Sequence, residues 1–283
     1  MKLKLLNLNC WEFVFFDEIV EFVIIKRPDI IAFQEASTSS IVEEGEYVRK
    51  TYENQIEAFS KSINYKYVFA PSWGVRTDDN KDKIKGVVIF YKPELELVVF
   101  YSKTYSNYAE YPKMTHERED GLLTAKTKKE RYLYSWKKPL NYLVCLFKIN
   151  NTYIRIITTQ LCISYYCTET FQRVQQATEL AELIVKSKDI PTILCGDFNI
   201  EADSHSMEII SNTGMNIETA KIKNSLEKKV HPLFDPSKSM KLSQSDGYCV
   251  DHILTKNIQN PKLYTYQGKS ISDHIAMILT FEL

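Results

Sequence analysis

Ten short apolar runs, broken by only four segments of helical period, restrict this chain to a layered α/β architecture. The runs are 2–8, 29–34, 65–70, 86–91, 95–100, 142–149, 152–159, 191–195, 250–254 and 275–282, each of strand length. Helical spacing fits 17–27, 52–62, 168–187 and 204–213. The third is the clearest, with Phe171, Val174, Ala177, Ala181, Ile184 and Val185 on one expected apolar face. Two pairs of runs read as hairpins: 86–91 with 95–100 across Lys92-Pro93-Glu94, and 142–149 with 152–159 across Asn150-Asn151. Hairpins mixed with crossover helices imply an α/β sandwich of mixed sheets. No internal repeat and no linker rich in Pro, Gly or Ser interrupts the pattern, so one domain over 1–283 is expected.

Several classes are disfavoured by what the sequence lacks. Thirty-six basic residues balance 36 acidic ones, which argues against a polyanion binder held by bulk electrostatics and leaves room for a local basic groove. The six cysteines, at 10, 145, 162, 167, 195 and 249, contain no Cys-x-x-Cys pair, so neither a zinc ribbon nor a thioredoxin-like motif is supported. Cys10, Cys145 and Cys195 sit in apolar runs as small hydrophobes, which suggests a reducing, cytoplasmic setting. No apolar run reaches membrane-span length. The start, Met1 to Leu6, has a faint look of a signal peptide, but Asn7, Asn9, Glu12 and Asp17 interrupt it and a first strand is the better reading. Oligomeric state is not legible.

The chemistry lies where strands end. Pro191-Thr192-Ile193-Leu194-Cys195 runs into Gly196-Asp197-Phe198-Asn199, which delivers an acid and an amide to the C-terminal end of a buried strand. In layered α/β sheets sites are usually built at that end. Alone, the motif reads equally as a solvated Asp-Asn turn. Asn9 ends the first strand and Glu35 the second; taken singly, these are a turn former and a helix-start carboxylate. Asp251 lies inside the apolar run Val250-Asp251-His252-Ile253-Leu254, a costly position unless the carboxylate is paired. Ser272-Asp273-His274 precedes the last strand. As a set these residues are rich in hard oxygen ligands, which suits Mg²⁺, with Mn²⁺ as the alternative, better than zinc.

The order Leu-Asn-Cys-Trp, Gln-Glu, Gly-Asp-Phe-Asn, Val-Asp-His-Ile, Ser-Asp-His resembles the endonuclease/exonuclease/phosphatase superfamily over essentially the whole chain. The resemblance implies a four-layer α/β sandwich of two mixed sheets and a metal-dependent phosphoesterase. It implies that Glu35 is the principal Mg²⁺ ligand with Asn9 beside it, and that Asp273 completes the metal site. It gives Asp197 the attacking water, Asn199 a phosphoryl oxygen, and His274 a place over the phosphate with Asp251 as its carboxylate partner. Whether Asp197 or His274 is the base stays open. Phosphoryl transfer needs positioning and charge stabilisation more than covalent chemistry, which agrees with such a set.

One position departs from the family pattern. Where many members carry Thr-His-Leu, this chain has Thr159-Gln160-Leu161, followed by a helix with Arg173 and Gln176. Gln160 can donate a hydrogen bond to a phosphoryl oxygen but cannot give a proton to a leaving group. The leading expectation is a Mg²⁺-dependent nuclease. Its bases would stack on Tyr101, Tyr105, Tyr108, Tyr111, Tyr132, Tyr134 and Trp136 of 101–140. Its phosphates would meet Lys221, Lys223, Lys228, Lys229, Lys238 and Lys241 of 220–246. A solvated surface is the plainer account of both stretches. The alternatives are a phosphoesterase acting on phospholipid or phosphoinositide, toward which Leu8-Asn9-Cys10-Trp11 leans, and a catalytically impaired binding module, which only Gln160 supports.

Overall fold

Twelve strands form two six-stranded mixed sheets in the computed structural model, which describes residues 1–39, 52–76, 82–106, 140–163, 167–186, 189–229 and 247–283. In chain order they are β1 (Lys2–Asn9), β2 (Ile30–Ser37), β3 (Lys66–Arg76), β4 (Asp82–Tyr91), β5 (Glu96–Thr104), β6 (Asn141–Ile149), β7 (Thr152–Gln160), β8 (Thr192–Asp197), β9 (Asn216–Ile217), β10 (Asp251–Lys256), β11 (Gln259–Thr265) and β12 (Met277–Glu282). The helices among the described residues are α1 (Phe16–Lys26), α2 (Gln55–Ile63), α3 (Phe171–Val185) and α4 (His205–Ser211). The first sheet has the order β11-β12-β1-β2-β4-β3 and the second β5-β6-β7-β8-β10-β9. Each holds one parallel pair at its centre, β1 with β2 and β7 with β8. Among the described residues no helix is long and apolar enough to cross a membrane.

Side-chain alternation along the strands sorts the core into three layers. Leu3, Leu5, Ile30, Ala32, Ile154, Ile156, Ile193 and Cys195 meet between the sheets. Leu6, Leu8, Ile31 and Phe33 turn the other way, onto α1 and α2 through Phe16, Ile19, Phe22 and Phe59. Ile157, Leu194 and Leu254 face α3 and α4 through Ala177, Leu180, Ile184 and Met207. The result is a four-layer sandwich with helices outside. Cys10, Cys145 and Cys195 are fully buried among apolar side chains, and burial pushes the Cys145 thiol up to about 12.

The structure corrects several local expectations. The hairpin expected over 86–91 and 95–100 does not form: β4 pairs with β2 and β3 in one sheet and β5 with β6 in the other. Lys92-Pro93-Glu94 is where the chain changes sheets, a choice that strand periodicity cannot register. The hairpin across Asn150-Asn151 does form, with Asn150 at φ 54°. β11 has no apolar run to announce it and carries Pro261; it occupies a sheet edge, where a strand proline is tolerated. The buried face of α3 is not the expected one. Arg173, Gln176, Ala177, Leu180 and Ile184 point inward, while Phe171 is 69% exposed and Val185 43%. Arg173 donates to the Thr168 and Cys162 carbonyls and Gln176 accepts from the Cys162 amide, so both polar groups are buried with partners.

Candidate active site

The inward-facing side chains at one end of the two sheets converge in the mouth between them. Asn9 ends β1, Gln160 ends β7, Asp197 ends β8 and Asp251 begins the antiparallel β10, directly opposite Asp197. By alternation all four point between the sheets, as Leu5, Ile156, Cys195 and Ile253 do deeper in. Ser272-Asp273-His274 enters from the segment before β12. Close approach of β7 to β8 explains the glycine of the Gly-Asp motif, because a Cβ at Gly196 would overlap the Thr159 carbonyl.

Glu35 breaks the alternation. Gln34 faces between the sheets, so its neighbour in a regular strand would turn toward α2. Instead Glu35 adopts φ 53°, and β2 slips register against β4 between Phe33 and Ala36. This bulge re-aims the carboxylate into the mouth, as bulges commonly do beside sites. There Gln160 Nε2 donates to Glu35 Oε1 at 2.8 Å and to Asp197 Oδ2 at 3.2 Å. Gln160 therefore lies inside the cluster and joins two carboxylates.

Each remaining residue has defined partners. Asn9 Nδ2 donates to Asp197 Oδ2 at 3.0 Å and lies 3.4 Å from His274 Nε2. The second contact is a hydrogen bond only while Nε2 carries no proton. Trp11 N–H donates to Asn9 Oδ1 at 3.1 Å, which sets the amide's orientation. Trp11, Glu12 and Phe13 all have positive φ, an uncommon left-handed run directly beside the cluster. His274 Nδ1 donates to Asp251 Oδ2 at 2.7 Å. The backbone N–H of Asn199 donates to Asp197 Oδ1 at 3.1 Å. Asn199 Nδ2 donates to the Leu161 carbonyl at 2.9 Å, which uses one of its two amide hydrogens. Ser272 Oγ lies 2.6 Å from the Asn9 carbonyl and 3.1 Å from Asp273 Oδ1, and its one proton serves the shorter contact.

Charge crowding perturbs the acids. Burial, then the charge of Asp251 and that of Glu35, push the Asp197 carboxyl up to about 7. Burial and the Glu35 charge push Asp273 to about 7 as well. Burial opposes a charged His274, but Asp251, Asp273 and Asp197 outweigh it and hold the imidazole well above its ordinary value. His252 faces the helix layer instead. It bonds Thr219 Oγ1 at 2.8 Å and the Ile200 carbonyl at 2.7 Å, and burial lowers its pKa.

Among the described residues no group of three or more His, Cys, Asp or Glu side chains forms a metal cage on its own. Mg²⁺ asks for less, one or two carboxylates with water and substrate oxygens filling the rest. The donors here are hard oxygens, and the Glu35 charge raises both Asp197 and Asp273, so a divalent cation among them would relieve an existing repulsion. The residues fit such an ion.

Ser225, buried in the Lys-rich stretch, carries no mark in the sequence. Its hydroxyl accepts from the Val250 and Asp251 amides, and its carbonyl from Ile275 N–H. Leu226 bridges to His274 and Glu227 N–H donates to the Asp273 carbonyl. Residues 225–227 thus clamp the site, while the lysines around them, Lys221, Lys223, Lys228 and Lys229, are exposed. Lys238 and Lys241 lie outside the described residues, as do Tyr108, Tyr111, Tyr132, Tyr134 and Trp136. Tyr101 is exposed on edge strand β5. Tyr105 is buried with its hydroxyl 2.7 Å from Thr159 Oγ1, so it offers no face to a base.

A two-sheet sandwich with an Asp–His pair facing clustered carboxylates is the architecture of a phosphoester hydrolase. Residues 6–274 match the model of the Endonuclease/Exonuclease/phosphatase family, and the chain belongs to that family, whose members hydrolyse phosphoester bonds and generally use divalent metals. The CCR4-Not complex 3'-5'-exoribonuclease subunit Ccr4 of Kluyveromyces lactis is 28% identical over 199 residues, 65% of this chain and 23% of that protein. The chain therefore spans less than a quarter of that relative's length. An endonuclease/exonuclease/phosphatase from Bacteroides vulgatus superposes with a TM-score of 0.66 at 15% identity, over 100% of this chain and 99% of its own. A mannosyl-6-phosphatase of Bacteroides thetaiotaomicron superposes with 0.61 at 16% identity, over 99% and 100%. At such identities the likeness is one of fold.

Proposed function

We propose that this chain is a Mg²⁺-dependent phosphodiesterase acting on nucleic acid, with Mn²⁺ able to substitute. The observation that carries the reading is the His274–Asp251 pair, bonded at 2.7 Å, with Asp251 the cross-strand neighbour of Asp197 and His274 Nε2 3.4 Å from the Asn9 amide that donates to Asp197. The similarity to Ccr4 supports RNA as the first substrate to try.

Water attacks phosphorus in line with the leaving oxygen, and the P–O bond to that oxygen breaks. Asp197 takes the water's proton. Its acceptor strength is suited to neutral pH because burial has raised it to about 7. Asn9 and the Asn199 backbone hold its two oxygens in place. Asp251 fixes the His274 tautomer with Nδ1–H inward, so Nε2–H of the imidazolium is left to donate to a phosphoryl oxygen. Glu35, Asp273 and Asn9 would hold the cation, which when bound would neutralise charge developing on oxygen. Asn199 contributes its second amide hydrogen to the phosphate. Gln160 spaces Glu35 from Asp197 and supplies no proton, so the leaving group departs without a general acid from this position.

The test is an assay panel of RNA, DNA, sphingomyelin and phosphoinositides, with and without Mg²⁺, and with Asp197→Ala and His274→Ala as controls. Metal-dependent cleavage of nucleic acid, lost in both variants, is the expected result. Turnover of a lipid instead would transfer the same machinery to the phospholipid alternative. A folded, metal-supplied protein inert on every phosphoester would leave only the impaired binding module.

A further inference from the structure

One buried amide beneath the site is not used by the chemistry above. Gln34 is fully buried. Its Nε2 donates to Asn7 Oδ1 at 3.0 Å and to Thr158 Oγ1 at 2.9 Å, with the Ala32 carbonyl at 3.4 Å. Asn7 and Thr158 are also fully buried. Each partner stands two residues before a site residue on the same inward face: Asn7 before Asn9 on β1, and Thr158 before Gln160 on β7. Gln34 itself precedes Glu35. Gln34 is level with Asn9 in the β1–β2 register, and its side chain reaches back to the Asn7–Thr158 layer, about 7 Å below the catalytic one.

Its position answers a geometric need. Backbone ladders fix β1 against β2, and β7 against β8. No ladder joins the two sheets, so the height of Glu35 relative to Gln160 depends on what crosses the gap. Apolar side chains across that gap pack well but are not directional. The Gln34–Thr158 bond is directional and crosses immediately below the mouth; Asn141, bonded to the Ala70 and Pro71 carbonyls, makes a further tie between β6 and β3. One layer deeper the same strands carry Leu5, Ile30 and Ile156, so the polar layer lies directly beneath the site. Asn7 Nδ2 and Gln34 Oε1 have no hydrogen-bond partner there, a cost that an apolar layer would avoid.

We infer that Gln34 is a positioning residue, whose bond to Thr158 locks the two sheets in the alignment that brings Glu35 to Gln160 and Asp197. The inference rests on the phosphodiesterase reading for its effect on rate, but not for its effect on geometry. Thr158→Val removes the acceptor at constant shape, and Gln34→Met removes the donor. In crystals of Thr158→Val the 2.8 Å Gln160–Glu35 contact is expected to open beyond hydrogen-bonding distance. In solution kcat should fall ~10- to 100-fold with KM nearly unchanged, since misplacement by about 1 Å costs on that order. Mn²⁺ binding, titrated directly, should weaken. Thr158→Ser, which restores the hydroxyl, should recover the rate. The double variant should lower kcat no further than Gln34→Met, because each change already removes the Gln34–Thr158 bond. Ile154→Val, in the same inter-sheet core but at the far end of β7, should lose stability and keep kcat.

A Thr158→Val protein that retains the contact and the wild-type kcat overturns the inference; if Gln34→Met does not fold, Thr158→Val decides alone. A wild type inert on all phosphoesters would refute the proposed function, while the crystal structure of Thr158→Val would still decide the role of Gln34.

Discussion

Changing Asp197 to Asn should make the metal-free protein more tolerant of alkaline pH while abolishing its activity. Asp197 is 2% exposed, and its carboxyl is pushed from an ordinary 3.8 to about 7 by burial and then by Asp251. An acid with a higher pKa folded than unfolded binds its proton more tightly in the native state. Its stabilising contribution is complete below 3.8 and disappears as pH rises through about 7. Between pH 5 and the folded value about two units of that shift remain, about 2.7 kcal/mol at 1.36 kcal/mol each. His274 and Asp251 readjust when the charge is removed, so about half of that, ~1.4 kcal/mol, should be measurable. Asn in this place also turns an NH₂ group toward Asn9 or Asn199, a cost that does not vary with pH and cancels in the comparison. Urea unfolding of wild type and Asp197→Asn in EDTA, at pH 5 and pH 8.5, isolates the effect. The variant should gain ~1.4 kcal/mol on the wild type between the two pH values. Equal pH slopes would refute the claim that the charged carboxylate is buried at a cost.

Metal should act on the same strain: at a hundred times its Kd, Mg²⁺ should stabilise the wild type by about 2.7 kcal/mol, and Glu35→Gln by clearly less, in thermal melts. Asp251→Asn removes the charge that raises His274. It should lower kcat ~100-fold or more and move the alkaline limb of the pH–rate profile to lower pH, the direction expected when an imidazolium is no longer held. Gln160→His should gain most on esters with poor leaving groups and little on nitrophenyl esters, as a general acid would. An equal gain on both, or none, would show that leaving-group protonation does not limit this position. Gly196→Ala drives a methyl into the Thr159 carbonyl and should cost ~1–3 kcal/mol in chemical denaturation.

The residues of the cluster were legible in the sequence because each contradicts its surroundings. Asn9, Asp197 and Asp251 are polar groups at the ends of apolar strands, and such anomalies stand out in a single sequence. Their convergence was less accessible. Periodicity gives the face of a strand but not its sheet, so the crossing at Lys92-Pro93-Glu94 looked like a hairpin. Glu35 reaches the mouth only through a left-handed residue at a bulge, and no pattern of residue types marked that backbone angle. The apolar face expected for α3 omits Arg173 and Gln176, because their burial depends on carbonyls and an amide in 162–168. Ser225 was invisible for a related reason: its role is to accept two backbone N–H groups, which any hydroxyl in the right place could do.

The antiparallel pairing of β1 with β12 has a consequence for how the molecule comes into being. Lys2 to Asn7 pair with Glu282 to Met277, so the first strand of this domain is flanked by its last. Until β12 emerges during synthesis, β1 has one flank open, and the segment carrying His274 is not yet anchored to the first sheet. Contacts of such sequence separation form slowly and late. On the proposed mechanism a product ending before residue 274 would lack His274 and be inert, and hydrolytic capacity would arrive in one step, after the sheet has closed.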